Sequence, residues 1–503
     1  MTRESFHNVF AVDLRSLALL RVVLAALGLI DLVIRAGDLG TFYTDQGAFP
    51  RQAALEYYRS KTVVSLHLLS GDSAVQAALF LVAGVALVAL LLGYRTRMAA
   101  FWAFVLLASI HVRTPPLLQA GDTLLRVLFF WSLFLPLGAR CSLDAVLNPR
   151  PSPPSSPSPP LATHRHFSVG SAALLLQVAM VYVCSALFKT GAEWRVDGTA
   201  IYYALQLDYM VTPVGAWLRQ WSDLLPVLTR LVYHFELIAP FFLFCPIFST
   251  ALRGLLLPAF VGMHLAFGLC LQIGLFPWVS AAALIPFIPA VAWDWLGRRI
   301  AAKGVRLGEF ARAFLPLRDS SHQTGRIGSA ACAFFLLYTA AWNAASLPQT
   351  AFSMPASLKW IGELVQLEQT WDMFAPQPSQ SNGWFVMPGL LADGTAVDVY
   401  RRTTSPPKRK KPRDGSAYFA NYRWRKFLLT LAHKKHEDYR FYYGRYLCQQ
   451  WNAGRRGDER LKTFSIYFAE EKTLLYPAAE QTVEVLLWRH DCFKRAVTVH
   501  RPQ

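Results

Sequence analysis

Lys189 closes an apolar run in the stretch CSALFKTGAEW, residues 184–194, with Glu193 and Trp194 just beyond it. A lysine acts as a base only as the neutral amine, and burial favours that form because desolvation penalises the charge. A lipid-soluble weak acid arriving from a bilayer could lose its proton to such an amine. The other reading is an end anchor, with the stem in lipid and the ammonium among headgroups. Glu193, one turn further on, would favour the charged form instead.

More ionisable residues stand inside apolar runs: His234, Glu236, His264, Arg126, Arg21 and Asp31. Such groups are costly in a membrane and usually face a cavity or a partner. His234 and His264 read either as members of one polar interior, within a turn or two of the Lys189 end, or as interhelical hydrogen-bonders. Arg126 and Asp31 read as a structural pair, and His111 as an interface residue. A catalytic role is expected of Lys189. Substrate contact is expected of His234, Asp122 and Trp194. The histidines are isolated and no HExxH occurs, so no metal is expected.

These residues need helices to hold them. The 503 residues are 54% hydrophobic and only 16% charged, against about 25% charged in soluble domains. A spanning helix takes about 20 mainly apolar residues, and about nine candidate runs fit. They lie near 14–36, 74–94, 97–114, 120–138, 167–189, 225–248, 251–273, 275–297 and 328–348. Pro277, Pro286 and Pro289 should kink the eighth. No cleavable signal peptide is expected, because the first residues are too polar. The formal charge of +18 flanks apolar spans, which argues against nucleic acid and for topology and anionic lipid. Arg95, Arg97, Arg140, Arg150, Arg165 and the basic loop Arg298–Arg326 fall on one side, so the N-terminus is expected in the cytoplasm. Nine spans would then put the C-terminal region outside the cell.

The expected organisation is a transmembrane domain over 10–348, interrupted by a Pro/Ser linker at 149–160, and an extramembrane domain over 350–503. In the latter, WFVMPGL and TAVDVYR flank an Ala-Asp-Gly turn, a hairpin signal. Residues 417–453 read as helical, and TFSIYFAEE and TVEVLLWRH as strands. The fold class is therefore a mainly α-helical polytopic membrane protein with a small α+β domain. Of seven cysteines, Cys448 and Cys492 are the pair able to form a disulfide.

Several stretches, in order, resemble the horizontally transferred transmembrane family, which includes vitamin K-dependent gamma-carboxylase. They are DLVIRAGDLGTFYTDQGAFPR, QAGDTLLRVLFFWSLFLPLG, FKTGAEWRVDG, VGMHLAFGLCLQIGLFPW and QTWDMFAPQP, covering roughly 10–400. The resemblance puts Lys189 on the carboxylase's base and His264 on its matching histidine. It implies a reduced naphthoquinone as cofactor, oxygen as co-substrate, and an epoxide as product. Carbon dioxide and a peptide or protein substrate at the outer face would join only if glutamate were carboxylated. That step uses a histidine in an Asn-His-Tyr-Trp sequence, and here Gly138-Ala139-Arg140-Cys141 stands in its place. The resemblance thus implies quinone oxygenation more than carboxylation. The alternatives are a non-enzymatic anchor or scaffold, or a binding protein for lipid or quinone.

Overall fold

The computed structural model describes residues 3–148, 165–302, 325–412, 414–475 and 482–494. The Pro/Ser stretch at 149–160 and most of the basic loop after Ala302 lie outside them. The first part of the chain is a helical bundle. Its longer helices are α1 (Leu14–Ala36), α2 (Ser73–Leu92), α3 (Thr96–Arg113), α4 (Ala120–Ser132), α5 (Val169–Phe188), α6 (Leu224–Phe242), α7 (Ser249–Cys270), α8 (Phe276–Ala283), α9 (Ala290–Ala302) and α10 (Arg326–Ser346).

Six of these (α1, α2, α5, α6, α7 and α10) are long and apolar enough to cross a membrane. A seventh span results if Phe276–Phe287 and Ala290–Arg299 count as one, although they bend by 96°. By length and composition, then, six helices among the described residues, or seven with the bent pair, qualify as spans, against nine expected. The third expected span is α3, 18 residues ending on His111 and Arg113. The fourth is α4, with 13 residues, about 20 Å of helix. Both are thickly buried, so neighbouring helices cover them along most of their length. The bend between α8 and α9 falls at Pro286 and Pro289, where a ring replaces a backbone donor.

Burial sorts the long helices into inner and outer ones. In the most apolar windows of α1 and α5, 56% and 67% of residues are buried; in the other four the share is 22–33%. The outer helices show large apolar side chains, such as Leu81, Leu255 and Leu337. This is what lipid-facing helices require and water-facing ones avoid. The chain is an integral membrane protein by this composition and packing.

Contacts define two ends of the bundle. At one, Arg15 pairs with Asp13 and Asp294, Arg253 donates to the Val9 carbonyl, and Asp144 accepts from the Arg95 and Thr96 amides. At the other end sits the C-terminal domain. Asp38 accepts from Asn421 and Trp424, Glu56 from Tyr442, and the Tyr209 carbonyl from Arg425.

That domain carries strands β1 (Ser381–Val386), β2 (Pro388–Leu391), β3 (Ala396–Asp398), β4 (Leu461–Lys472) and β5 (Thr482–Asp491), with helices α11 (Tyr422–Ala432) and α12 (Asp438–Asn452). The expected hairpin is present, with Pro388 opposite Asp398. The long strand β4 pairs antiparallel with β1, β2 and β5. Alternating burial along β4 puts Phe464 and Ile466 in the core, where α12 covers the sheet with Tyr443 and Trp451. Cys448 of α12 and Cys492, just past β5, form a disulfide across a Cα separation of 5.5 Å.

The disulfide ties the last strand to α12, so the double replacement of Cys448 and Cys492 by Ala should lower the domain's stability by about 2–4 kcal/mol. Denaturant unfolding of the full chain in detergent would measure it. Alkylation without reductant should leave both thiols untouched; labelling of both would contradict the bond.

Candidate functional site: a buried ion pair beside a polar cavity

Helix α5 begins with a reciprocal cap between Ser168 and Ser171 and ends at Lys189, whose backbone (φ −75°, ψ 74°) leaves the helix. Tyr182, Ser185 and Lys189 follow at spacings of three and four, so they share one face of α5. That face turns inward. Lys189 is only 3% exposed, which excludes an ammonium lying among headgroups. Its Nζ donates to Glu236 Oε2 at 2.5 Å and to Ser185 Oγ at 2.7 Å, and stands 5.1 Å from the centre of the Trp194 ring. Trp194 is held in place by its indole N–H, which donates to the Phe374 carbonyl. Glu193, the acid expected to influence the lysine, points elsewhere and accepts from Gln380.

Glu236 comes from α6. It sits two residues from His234, and positions two apart on a helix lie about 200° around the axis from each other. Only one of the two can face inward, and it is Glu236. His234 is exposed, with its Nδ1 on the Arg230 carbonyl in its own helix. It therefore lies apart from Lys189 and His264, contrary to the shared cavity expected from the sequence.

His264 of α7 does lie inside. Its Nε2 meets the Tyr182 hydroxyl at 2.9 Å, while its Nδ1 has no partner. A cavity of about 20 Å³ opens among Tyr182, Ser185, Glu236, His264, Phe276 and Ser280. That is room for a water molecule, far below the roughly 300–1,000 Å³ of sites that enclose drug-sized ligands. The Ser280 hydroxyl is likewise unpartnered. The cavity is thus small, walled mainly by carbon, and edged by two groups with free hydrogen-bonding capacity, His264 Nδ1 and Ser280 Oγ.

Asp122 belongs to a second cluster. Its Oδ1 accepts from Arg35 at 2.7 Å and from Arg423 at 3.1 Å, while Oδ2 caps α4 by accepting the Gln119 amide. Asp31 pairs with the same two arginines. Two carboxylates and two guanidiniums thus balance in a fully buried square. Asp31 is therefore not the partner of Arg126, as the sequence had suggested. Arg126 instead donates to the Gln366 and Glu368 carbonyls and meets His111. His111 is wholly buried rather than at an interface with lipid. Asp31, His111 and Asp122 bring one potential ligand atom each within 4.8 Å of one another, but both carboxylates are already engaged by arginine. The role expected of Asp122 in substrate contact thus falls on a residue whose oxygens are both occupied.

With both clusters located, the comparisons give the family. A model of the HTTM domain matches residues 10–295, more than half of the chain. The chain belongs to the HTTM domain family. No curated protein and no solved structure matches. The matched region contains Lys189, Glu236, His264 and every lining residue of the cavity except Met373, together with Asp31, Arg35 and Asp122. Arg423 lies outside it, so the ion-pair square is completed from beyond the HTTM domain.

The sequence marked Glu236 only as a candidate for a polar interior, with no role beside Lys189, and did not mark Arg423. An acid inside an apolar span was a usable signal for Glu236. Arg423 sits in a basic amphipathic helix, where a buried arginine looks like any surface one. Replacing Arg423 with Ala leaves two carboxylates facing one guanidinium and should cost about 3–5 kcal/mol. Thermal unfolding and trypsin release of the C-terminal domain would both report it. Adding Asp31→Ala restores one acid to one arginine and should recover most of the loss. No recovery in the double variant would contradict the pairing.

Proposed function

We propose that the protein is a multi-pass enzyme of the cell membrane that takes a lipid-soluble weak acid, a reduced naphthoquinone, into the cavity beside the Lys189–Glu236 pair and removes its proton there. The observation that carries this reading is the buried pair itself, set against a cavity with unpartnered polar atoms on His264 and Ser280. A structural ion pair needs no cavity, and a lipid anchor needs no buried acid. The family resemblance supplies the rest of the chemistry: oxygen adds to the deprotonated ring, one oxygen atom stays as the epoxide, and the other leaves as water with the two quinol hydrogens. The protein supplies a dry pocket and a place for the proton. Glutamate carboxylation is not part of the proposal, because Gly138–Cys141 holds no histidine for it.

The two-ring ligand needs more room than the cavity now has, so α5, α6 and α7 must part to admit it. The same narrowness supports a second reading, a non-enzymatic scaffold that holds the C-terminal domain at the membrane. An assay separates the two. Membranes containing the protein, given reduced naphthoquinone and oxygen, should form the epoxide, and Lys189→Ala should abolish it while inserting normally. No epoxide from the wild type with any naphthoquinol favours the scaffold.

For topology we propose an N-terminus in the cytoplasm and a C-terminal domain outside. Two observations support it: Arg95, Arg97, Arg140 and Arg298 lie toward the end opposite the domain, and the domain holds a disulfide, a bond of oxidising compartments. Cys141 is exposed at the arginine-rich end, and Ala453 is exposed in the domain. In intact cells a membrane-impermeant maleimide should label Ala453→Cys and spare Cys141. The reverse pattern would invert the topology.

A further inference from the structure

Lys189 does not line the cavity; Glu236 does, and it is the charged residue that does so. Both hydrogen bonds to this carboxylate, from Lys189 and from Ser185, arrive at Oε2. Oε1 receives none and is the oxygen available to a ligand. Lys189 sits behind, wedged between Glu236, Ser185 and the Trp194 ring. In this arrangement it is the ammonium that partners the carboxylate in the ion pair, its donors engaged by Glu236 Oε2, Ser185 Oγ and the Ser185 carbonyl. An ammonium cannot accept a proton, but a carboxylate can.

Resting on the reading that a weakly acidic ring compound enters this cavity, we propose that Glu236 is the group that takes its proton and that Lys189 is a positioning residue. The step balances without a further reactant. Before it, the ligand is neutral and the pair is Glu236 carboxylate with Lys189 ammonium. The ligand's O–H bond breaks, an O–H bond forms on Glu236, and the electron pair stays on the ligand oxygen. Afterwards the acid is neutral, and the ammonium has exchanged a carboxylate for the ligand's oxyanion. The net charge in the cavity is unchanged throughout, which suits a medium where an isolated charge is expensive. His264 Nδ1 and Ser280 Oγ, both unpartnered, are placed to hold a second polar atom of the ligand. A carboxylate alone is a weak base for a phenol. The lysine makes the transfer feasible by stabilising the oxyanion it leaves behind.

The test uses the full-length protein in detergent and 2-naphthol, whose ionised form has its own emission and which does not consume oxygen. Wild type should bind it and show the ionised emission. Lys189→Arg keeps the positive charge but cannot give up a proton, and it should keep that emission. Glu236→Gln should lose it, and epoxide formation by the same variant should fall about 100-fold or more. Glu236→Asp keeps a shorter carboxylate and an ion pair, so it guards against a folding defect; it should retain a reduced ionised signal. Loss of the signal in Lys189→Arg with its survival in Glu236→Gln would overturn the proposal and make the lysine the acceptor, while leaving the enzyme reading intact. No ionised naphthol on the wild type, together with no epoxide, would remove the reading on which the proposal rests.

Discussion

A charge buried among apolar helices needs an opposite charge or a set of hydrogen-bond partners, and much of this structure follows from that constraint. Ion pairs cross from the inner helices α1 and α5 to other segments. Lys189 of α5 meets Glu236 of α6. Arg35 of α1 meets Asp122 of α4. These pairs fix how the helices are rotated and how deeply they are seated, because a turn of either helix would strand a charge. The outer helices present leucine, valine and phenylalanine on their exposed faces.

Both clusters stand at the end of the bundle that carries the C-terminal domain. Arg423 reaches from α11 between Asp31 and Asp122, and the loop before β1 provides the Phe374 carbonyl that seats Trp194 against Lys189. The domain therefore completes the electrostatics of the bundle and helps shape the cavity wall, which Met373 also lines. A chain cut after the HTTM domain would keep every cavity residue drawn from helices but lose the tryptophan's seat and one of four charges in the square.

Much of the fold was legible in the residue pattern. Long apolar runs marked the spans, and alternation with a turn marked the hairpin, because both periods report burial directly. The shorter helices were harder to read. α4 reads as a span because the apolar run continues to Leu137, but its helix stops at Ser132 and the chain turns. Lys189, His264 and Trp194 were recognisable, since a lysine at a span's end and a histidine within one are conspicuous. Facing could not be judged as well. His234 and Glu236 were taken together as neighbours in sequence, although a helix separates them by more than half a turn. The pairing of Arg423 with Asp31 joins residues almost 400 apart, a distance over which no local pattern carries information.

The central claim is that the cavity beside the Lys189–Glu236 pair receives a lipid-soluble ring acid. The most direct measurement is mass spectrometry of the organic extract from purified protein, compared between wild type and Ser280→Phe, which fills the cavity. The account predicts a redox-active aromatic ring compound in near-equal amount to the wild-type protein and its loss from the variant. Bilayer phospholipid alone, in the same amount from both proteins, would contradict it.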